Sequence, residues 1–374
     1  RRQRQMCIRD SDWIESAGCR VVNLLCKGSY KHVTEQLRKT PEQHVDDIRT
    51  VVLEAAKRKI DVNIYLEDWS NGIKHSPDYV FLVIDALKGL PICRFMLPDT
   101  LGVLNPGNTY EYCKMMVDRY PDLRFDFHAH NDYDLAVANV YSAIRAGIKG
   151  IHTTVNGLGE RAGNAPLSSV LAVIKDQLGE ETSLREEKIN KASRLVETYS
   201  GVHIPPNKPI IGEHVFTQCA GVHADGDSKN NLYCNDLLPE RFGRVREYAL
   251  GKTSGKANIR KNLEALGIDM DEGSMRKVTE RIIELGDKKE MVTPEDLPYI
   301  ISDVLHHDNA LEDQKIRILN YSLSLAQGLK PVATLKIEIN GEAYEESASG
   351  DGQYDAFVRA LRRIYSRLNR PFPM

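Results

Sequence analysis

An α/β fold with a parallel sheet is what three features of this 374-residue sequence predict. Short apolar or β-branched runs alternate with amphipathic helical patterns from residue 12 to about 180. They repeat at roughly 30 residues, room for one helical crossover between successive strands, which leaves the strands parallel. Each run also closes in a polar cluster. The predicted strands are Arg20–Cys26, Asp61–Glu67, Ile92–Leu97, Leu123–His128 and Gly150–Val155, each short and apolar enough to be buried. The predicted helices between and after them are Pro41–Lys59, Pro77–Lys88, Thr109–Tyr120, Leu135–Ala146 and Pro166–Gln177. The first opens with Thr40-Pro41-Glu42-Gln43, a cap, a proline at the first helical position and an acid in the first turn. The polar clusters are Lys27-Gly28-Ser29, Glu67-Asp68, Pro98-Asp99-Thr100, His128–Asp132 and Asn156-Gly157. Gathered at C-terminal strand ends, they fit the active-site face of a (β/α)8 barrel. A doubly wound sheet would gather ligands there as well. Five units are visible where a closed barrel takes eight, so either the sheet is open or three units lie upstream.

The pattern changes after residue 180. Residues 181–310 read as helical and charged, with a loop at Gly221–Asn231, and Leu311–Leu329 as helical or linking. Lys330–Ile339 alternates like a strand, Asn340-Gly341 is a hairpin turn, Glu342–Ser347 returns, and Tyr354–Leu368 follows as a helix. The first eleven residues, with four arginines and no periodicity, look like a non-native leader.

Composition narrows the class. With 28% charged and 41% hydrophobic residues the chain reads as globular. Its net charge of -3 offers no electrostatic case for nucleic acid. No apolar run reaches membrane-spanning length, and the start lacks a signal-peptide core. Seven cysteines without CxxC pairs read as reduced, mostly buried thiols of a cytoplasmic protein.

His128-Ala129-His130 carries the chemistry. Side chains two apart on a strand share a face, so both imidazoles leave one strand end together, as a metal ion requires. On its own this pattern also fits surface or core histidines. The flanking sequence is far more specific: Phe127–Asp132 is followed by Val155-Asn156-Gly157-Leu158-Gly159-Glu160-Arg161-Ala162-Gly163-Asn164 and preceded by Leu97-Pro98-Asp99-Thr100-Leu101-Gly102. With these motifs the chain, from about residue 13 onward, closely resembles the acyl-CoA Claisen-condensing branch of the DRE-TIM metallolyases. That branch holds the 2-isopropylmalate, homocitrate and citramalate synthases. Gly212–Gln218, Gly221–Gly226 and Leu238–Arg244 are most similar to citramalate synthases of the leptospiral type.

The resemblance implies an architecture: residues 12–180 are the last five units of a (β/α)8 TIM barrel, residues 181–315 helical linker subdomains, and residues 316–374 the start of an α+β regulatory domain. It implies that His128, His130 and Asn164 ligate Mg, Mn or Zn. The family's fourth ligand is the aspartate of an Arg-Asp-Gly-Glu motif, which Arg9-Asp10-Ser11 does not reproduce. That motif is expected about 110–150 residues before His128 in a complete chain. The resemblance further assigns Glu67 and His223 to catalysis, His223 being supplied across a homodimer interface. It assigns Thr100 to the substrate carboxylate, and Asn156, Gly157, Gly159, Glu160, Arg161 and Gly163 to acetyl-CoA. Read structurally, Thr100 could cap a helix, Glu160-Arg161 could be an ion pair, and His152, Cys26 and Cys93 are assigned to packing.

The implied reaction condenses acetyl-CoA with a 2-oxo acid and then hydrolyses the thioester. Isopropylmalate synthases typically carry a small serine two residues before the catalytic glutamate; here Tyr65 stands there, with Leu25 on the preceding strand. Bulk at both positions favours pyruvate, giving (R)-citramalate in isoleucine biosynthesis, over 2-oxoisovalerate, giving 2-isopropylmalate in leucine biosynthesis. Two other readings compete. One is a lyase of the same fold, which the segments after residue 181 oppose. The other is an inactive fragment of such a synthase, cut short at both ends and with exposed strand edges.

Overall fold

The computed structural model describes residues 13–218, 221–228, 232–290, 292–306 and 316–368. The expected leader, residues 1–11, lies outside them. Two compact units divide the chain: residues up to 218 with 226–247, and residues 219–225 with 248 onward.

The first unit is built on five strands: β1 (Val21–Lys27), β2 (Asp61–Glu67), β3 (Ile92–Asp99), β4 (Phe125–Ala129) and β5 (Gly150–His152). They are parallel and lie side by side in chain order. A doubly wound sheet reverses its strand order at a switch point; this one runs 1-2-3-4-5 without reversal. It is the arrangement of successive barrel units. The crossovers are α1 (Pro41–Lys57), α2 (Trp69–His75) with α3 (Pro77–Leu87), α4 (Pro106–Arg119) and α5 (Ala136–Arg145), and α6 (Leu167–Leu178) and α7 (Ile189–Ser200) follow β5. Helix α1 starts as its sequence predicts: Thr40 and Gln43 form a reciprocal capping box, with Pro41 at the first helical position.

Alternation along the strands sorts the two faces. Val62, Ile64 and Leu66 of β2 and Phe95 and Leu97 of β3 are at most 1% exposed, in one core with Val45, Ile48 and Val52 of α1 and Val80, Val83 and Ile84 of α3. The opposite face is polar: Asn63 donates to Asn23 at 2.8 Å, Arg94 to Asp126 at 2.8 Å, and Lys27 pairs with Glu67. β1 forms one edge of the sheet, with Val21 and Leu25 exposed.

Under that edge lies a buried polar relay. His44 accepts the Lys27 amide on Nε2 (3.4 Å), so its proton is on Nδ1, which meets the Tyr79 hydroxyl at 3.0 Å. The Tyr79 hydroxyl in turn donates to the Lys27 carbonyl at 3.0 Å. Burial, with Lys39 adding to it, pushes the His44 imidazole down to about 4. It stays neutral and the relay stays intact.

The second unit has a helical part, α9 (Lys256–Leu266), α10 (Glu272–Asp287) and α11 (Leu297–His306), closed around Ile259, Val278, Ile282 and Leu297. Its other part is an antiparallel sheet of β6 (Ile316–Ser324), β7 (Val332–Ile339) and β8 (Glu342–Ser349). Helix α12 (Gln353–Arg367) packs through Ala360 and Ile364 on Leu335, Ile337 and Ile339. Asn340 and Gly341 both take positive φ at the predicted hairpin.

Three sequence-based readings are corrected. Residues 316–324 form strand β6 rather than a helix or linker; a bulge between Ile318 and Asn320 breaks the two-residue period that would have marked it. Gly221–Ser228 is a short helix, α8, rather than loop, and Ala224 is fully buried in it. Cys93 is exposed, as is Cys19, whereas Cys26 and Cys113 are buried.

Two outcomes follow for the first unit. A Cβ at Gly72 would lie 1.9 Å from the Gly28 carbonyl oxygen. Although alanine normally gains about 1 kcal/mol over glycine in a helix, Gly72→Ala is expected to lose about 2–4 kcal/mol, seen as a lower urea midpoint. Because His44 is neutral in the fold and ordinary when unfolded, the unfolded chain binds its proton first as pH falls below about 6.5. His44 should therefore contribute a loss of about 2 kcal/mol from pH 7.5 to 5, beside the losses from other buried histidines, and His44→Gln should reduce the total loss by about that amount in urea titrations.

Candidate functional site

The C-terminal ends of β1–β5 bring most of the predicted residues together on the polar face. His128 is the fourth residue of β4, and His130 follows the strand on the same face, while Ala129 between them is fully buried on the other. The two rings stand 5.0 Å apart, centroid to centroid, at 70°. Burial pushes His128 down to about 4, with the neighbouring His130 and His152 rings acting in the same direction. His130 is lowered too, chiefly by burial. Both are therefore neutral, the form that binds metal.

A return segment places Asn164 beside them. Residues 163–167 lace onto the strand ends: Asn131 donates to the Gly163 carbonyl, Ala165 to Ala129, and Thr154 to Ala165. His130 and Asn164 pair directly as a bridge. The Asn164 amide donates from Nδ2 to the Leu158 carbonyl at 3.0 Å, which fixes its orientation and leaves Oδ1 as the presented atom. Gly159 is required here, since a Cβ would sit 2.4 Å from Asn164 Nδ2.

Asn164 Oδ1 and His130 Nδ1 are both buried without a hydrogen-bond partner among the described residues. Orphaned buried polar atoms of this kind carry a desolvation cost unless something occupies them. Two neutral imidazoles and an amide oxygen fit a divalent cation in an open site. Among the described residues no group of three or more His, Cys, Asp or Glu side chains is placed to hold a metal. The candidate centre thus consists of two histidines and an amide.

Glu67, the last residue of β2, points to the same face with its carboxylate on the Lys27 ammonium. Sequence reasoning missed Lys27, although it opens the polar cluster that ends β1. Tyr65, two residues before Glu67, packs edge-on against His128 with centroids 5.8 Å apart, and burial raises its phenol. Leu25 is paired with Tyr65 in register and is 58% exposed. Thr100 is not a helix cap: its Oγ accepts the Asp68 amide at 2.9 Å, which leaves its own proton free to donate. His152 belongs to this face too, correcting its assignment to packing. It lies opposite His128 in register, 5.7 Å between centroids, with Nε2 3.6 Å from Asp126.

In the glycine-rich loop Arg161 holds Asp132 through two hydrogen bonds, 2.7 and 2.9 Å, and donates to the Thr100 carbonyl at 2.8 Å. Arg161 holds the Asp132 carboxyl below the usual range. Glu160 stays exposed, 3.4 Å from Arg161. Asn156 donates to the Ser193 carbonyl of α7 at 2.9 Å. A cavity of about 360 Å³ opens beside the loop, lined by Asn156, Gly157, Gly159, Arg161, Gly163 and Lys208 among others. His223 lies half-buried on α8, in the second compact unit.

Residues 5–196 match the HMGL-like family. Residues 210–290 match the homocitrate synthase post-HMGL domain-like family, and residues 291–370 the LeuA allosteric (dimerisation) domain. A putative (R)-citramalate synthase of Methanopyrus kandleri is 34% identical over 95% of this chain and 69% of its own length. A probable 2-isopropylmalate synthase of the same organism is 33% identical over 97% and 72%. The (R)-citramalate synthase of Methanocaldococcus jannaschii is 31% identical over 92% and 69%. Among solved structures, the HMG-CoA lyase of Bacillus subtilis is 21% identical, covering 54% of this chain and 70% of its own at a TM-score of 0.48. Among the described residues no helix is long and apolar enough to cross a membrane. The chain belongs to the HMGL-like family and, within it, to the group of 2-isopropylmalate, homocitrate and citramalate synthases.

Proposed function

We propose that this chain condenses acetyl-CoA with pyruvate and hydrolyses the thioester to give (R)-citramalate and free CoA. The observation that carries the reading is the convergence of His128, His130 and the orphaned Asn164 Oδ1, with Tyr65 packed against His128. The matches of residues 210–290 and 291–370 to synthase-type domains support a synthase over a lyase of the same fold.

When bound by His128, His130 and Asn164, a divalent ion (Mg, Mn or Zn) supplies Lewis-acid polarisation of the keto group. Thr100, whose hydroxyl proton is free, donates to the oxo acid's carboxylate. Glu67 removes a methyl proton from acetyl-CoA, and the resulting carbon nucleophile adds to the keto carbon, forming the new carbon–carbon bond as the C=O π pair moves onto the keto oxygen, which takes up a proton to become the product hydroxyl. His223 of the partner subunit assists proton transfer in a homodimer. Water then cleaves the thioester and CoA leaves as the thiol. Acetyl-CoA is taken to lie along Asn156, Gly157, Gly159, Glu160, Arg161 and Gly163, whose shape Arg161 maintains through Asp132 and the Thr100 carbonyl.

Tyr65 decides between pyruvate and 2-oxoisovalerate. Its ring packs edge-on against His128 and Leu25 lies opposite it in register, bulk that leaves less room for a branched oxo-acid substituent beside the metal ligands. The resemblance to a probable 2-isopropylmalate synthase supports the second reading, condensation with 2-oxoisovalerate to 2-isopropylmalate.

Release of CoA thiol from acetyl-CoA should be faster with pyruvate than with 2-oxoisovalerate, compared as kcat/KM. Tyr65→Ser should move that ratio about 10-fold toward 2-oxoisovalerate. Faster turnover of 2-oxoisovalerate by the unmodified chain would overturn the substrate assignment, and no thiol release with either acid would overturn the reaction.

A further inference from the structure

We infer that Lys27 is the positioning residue for the Glu67 carboxylate, an inference that rests on the proposed role of Glu67 in proton transfer. Lys27 and Glu67 are the last residues of adjacent parallel strands and are paired directly in register, so their side chains leave the same face side by side. The Lys27 ammonium bonds Glu67 Oε2. The lysine side chain is 10% exposed and the glutamate 27%. One carboxylate oxygen is thereby occupied, and Oε1 is left for the reacting proton.

The lysine itself is unusually well held. Its amide donates to His44 Nε2, its carbonyl accepts from the Tyr79 hydroxyl, and those two groups meet each other at 3.0 Å. The next amide, Gly28, donates to the Glu67 carbonyl at 2.6 Å. Both sides of the Lys27 peptide are therefore tied to buried groups from α1 and α3, and the partner strand is tied to the residue after it. A buried ion pair is a weak source of stability, because the desolvation of two charges offsets most of their attraction. A relay that clamps one partner's backbone has a clearer use. It fixes the direction from which the ammonium meets the carboxylate, and a misplaced base loses rate far more readily than it loses binding.

Lys27→Met fills similar volume without the charge and is expected to fold, with unchanged circular dichroism. Its kcat for CoA release should fall about 10–100-fold, with KM for the oxo acid changed less than about 3-fold. Lys27→Arg, which can still donate to the carboxylate, should recover to within about 5-fold of the unmodified chain. In a Glu67→Gln background, Lys27→Met should cost nothing further, because its effect passes through Glu67. Full activity of Lys27→Met, or an equal loss with and without Glu67, would overturn this role while leaving the proposed reaction standing. An unmodified chain that releases no CoA would overturn the reaction, and this role with it.

Discussion

Everything at the candidate site depends on the register of five parallel strands. A two-residue period sends alternate side chains to opposite faces, so one face carries Val62, Ile64 and Leu66 into the core and the other carries Asn63, Tyr65 and Glu67. Because adjacent strands are aligned, same-face residues meet in pairs: Asn23 with Asn63, Lys27 with Glu67, His128 with His152. A shift by one residue would bury these polar groups and expose the apolar row. The site is a consequence of strand pairing before it is a consequence of any loop.

The second requirement is the return of the chain after β5. Backbone bonds from residues 163–167 to Ala129, Asn131 and Thr154 stitch that segment to the strand ends and bring an amide to two imidazoles. Asn164 is presented because its Nδ2 is already engaged by Leu158, and Gly159 makes the room. Burial then keeps both histidines neutral. The centre is arranged in advance: its histidines are uncharged, and His130 Nδ1 and Asn164 Oδ1 are buried without a hydrogen-bond partner among the described residues, a state whose cost a bound cation would offset.

Much of this was legible in the residues. Strand and helix positions were, because their periods are strong and Thr40-Pro41 and Asn340-Gly341 mark boundaries chemically. The shared face of His128 and His130 was, because it follows from spacing alone. Lys27 and His152 were not: their significance lies in which strand lies beside which, and neighbouring strands are some 25–40 residues apart in sequence. Strand β6 was hidden by its bulge, and α8 by the glycine and aspartate of Gly221–Ser228, which local propensity assigns to loops.

The most direct test of the central claim is the coordination of Mn(II) added to the metal-free chain, followed by electron paramagnetic resonance with spin-echo modulation. The account expects binding with nitrogen couplings from two imidazoles, reduced to one in His130→Ala and in His128→Ala, and weaker binding without loss of either nitrogen in Asn164→Ala. Binding with no nitrogen coupling, or couplings unchanged in both histidine variants, would contradict it.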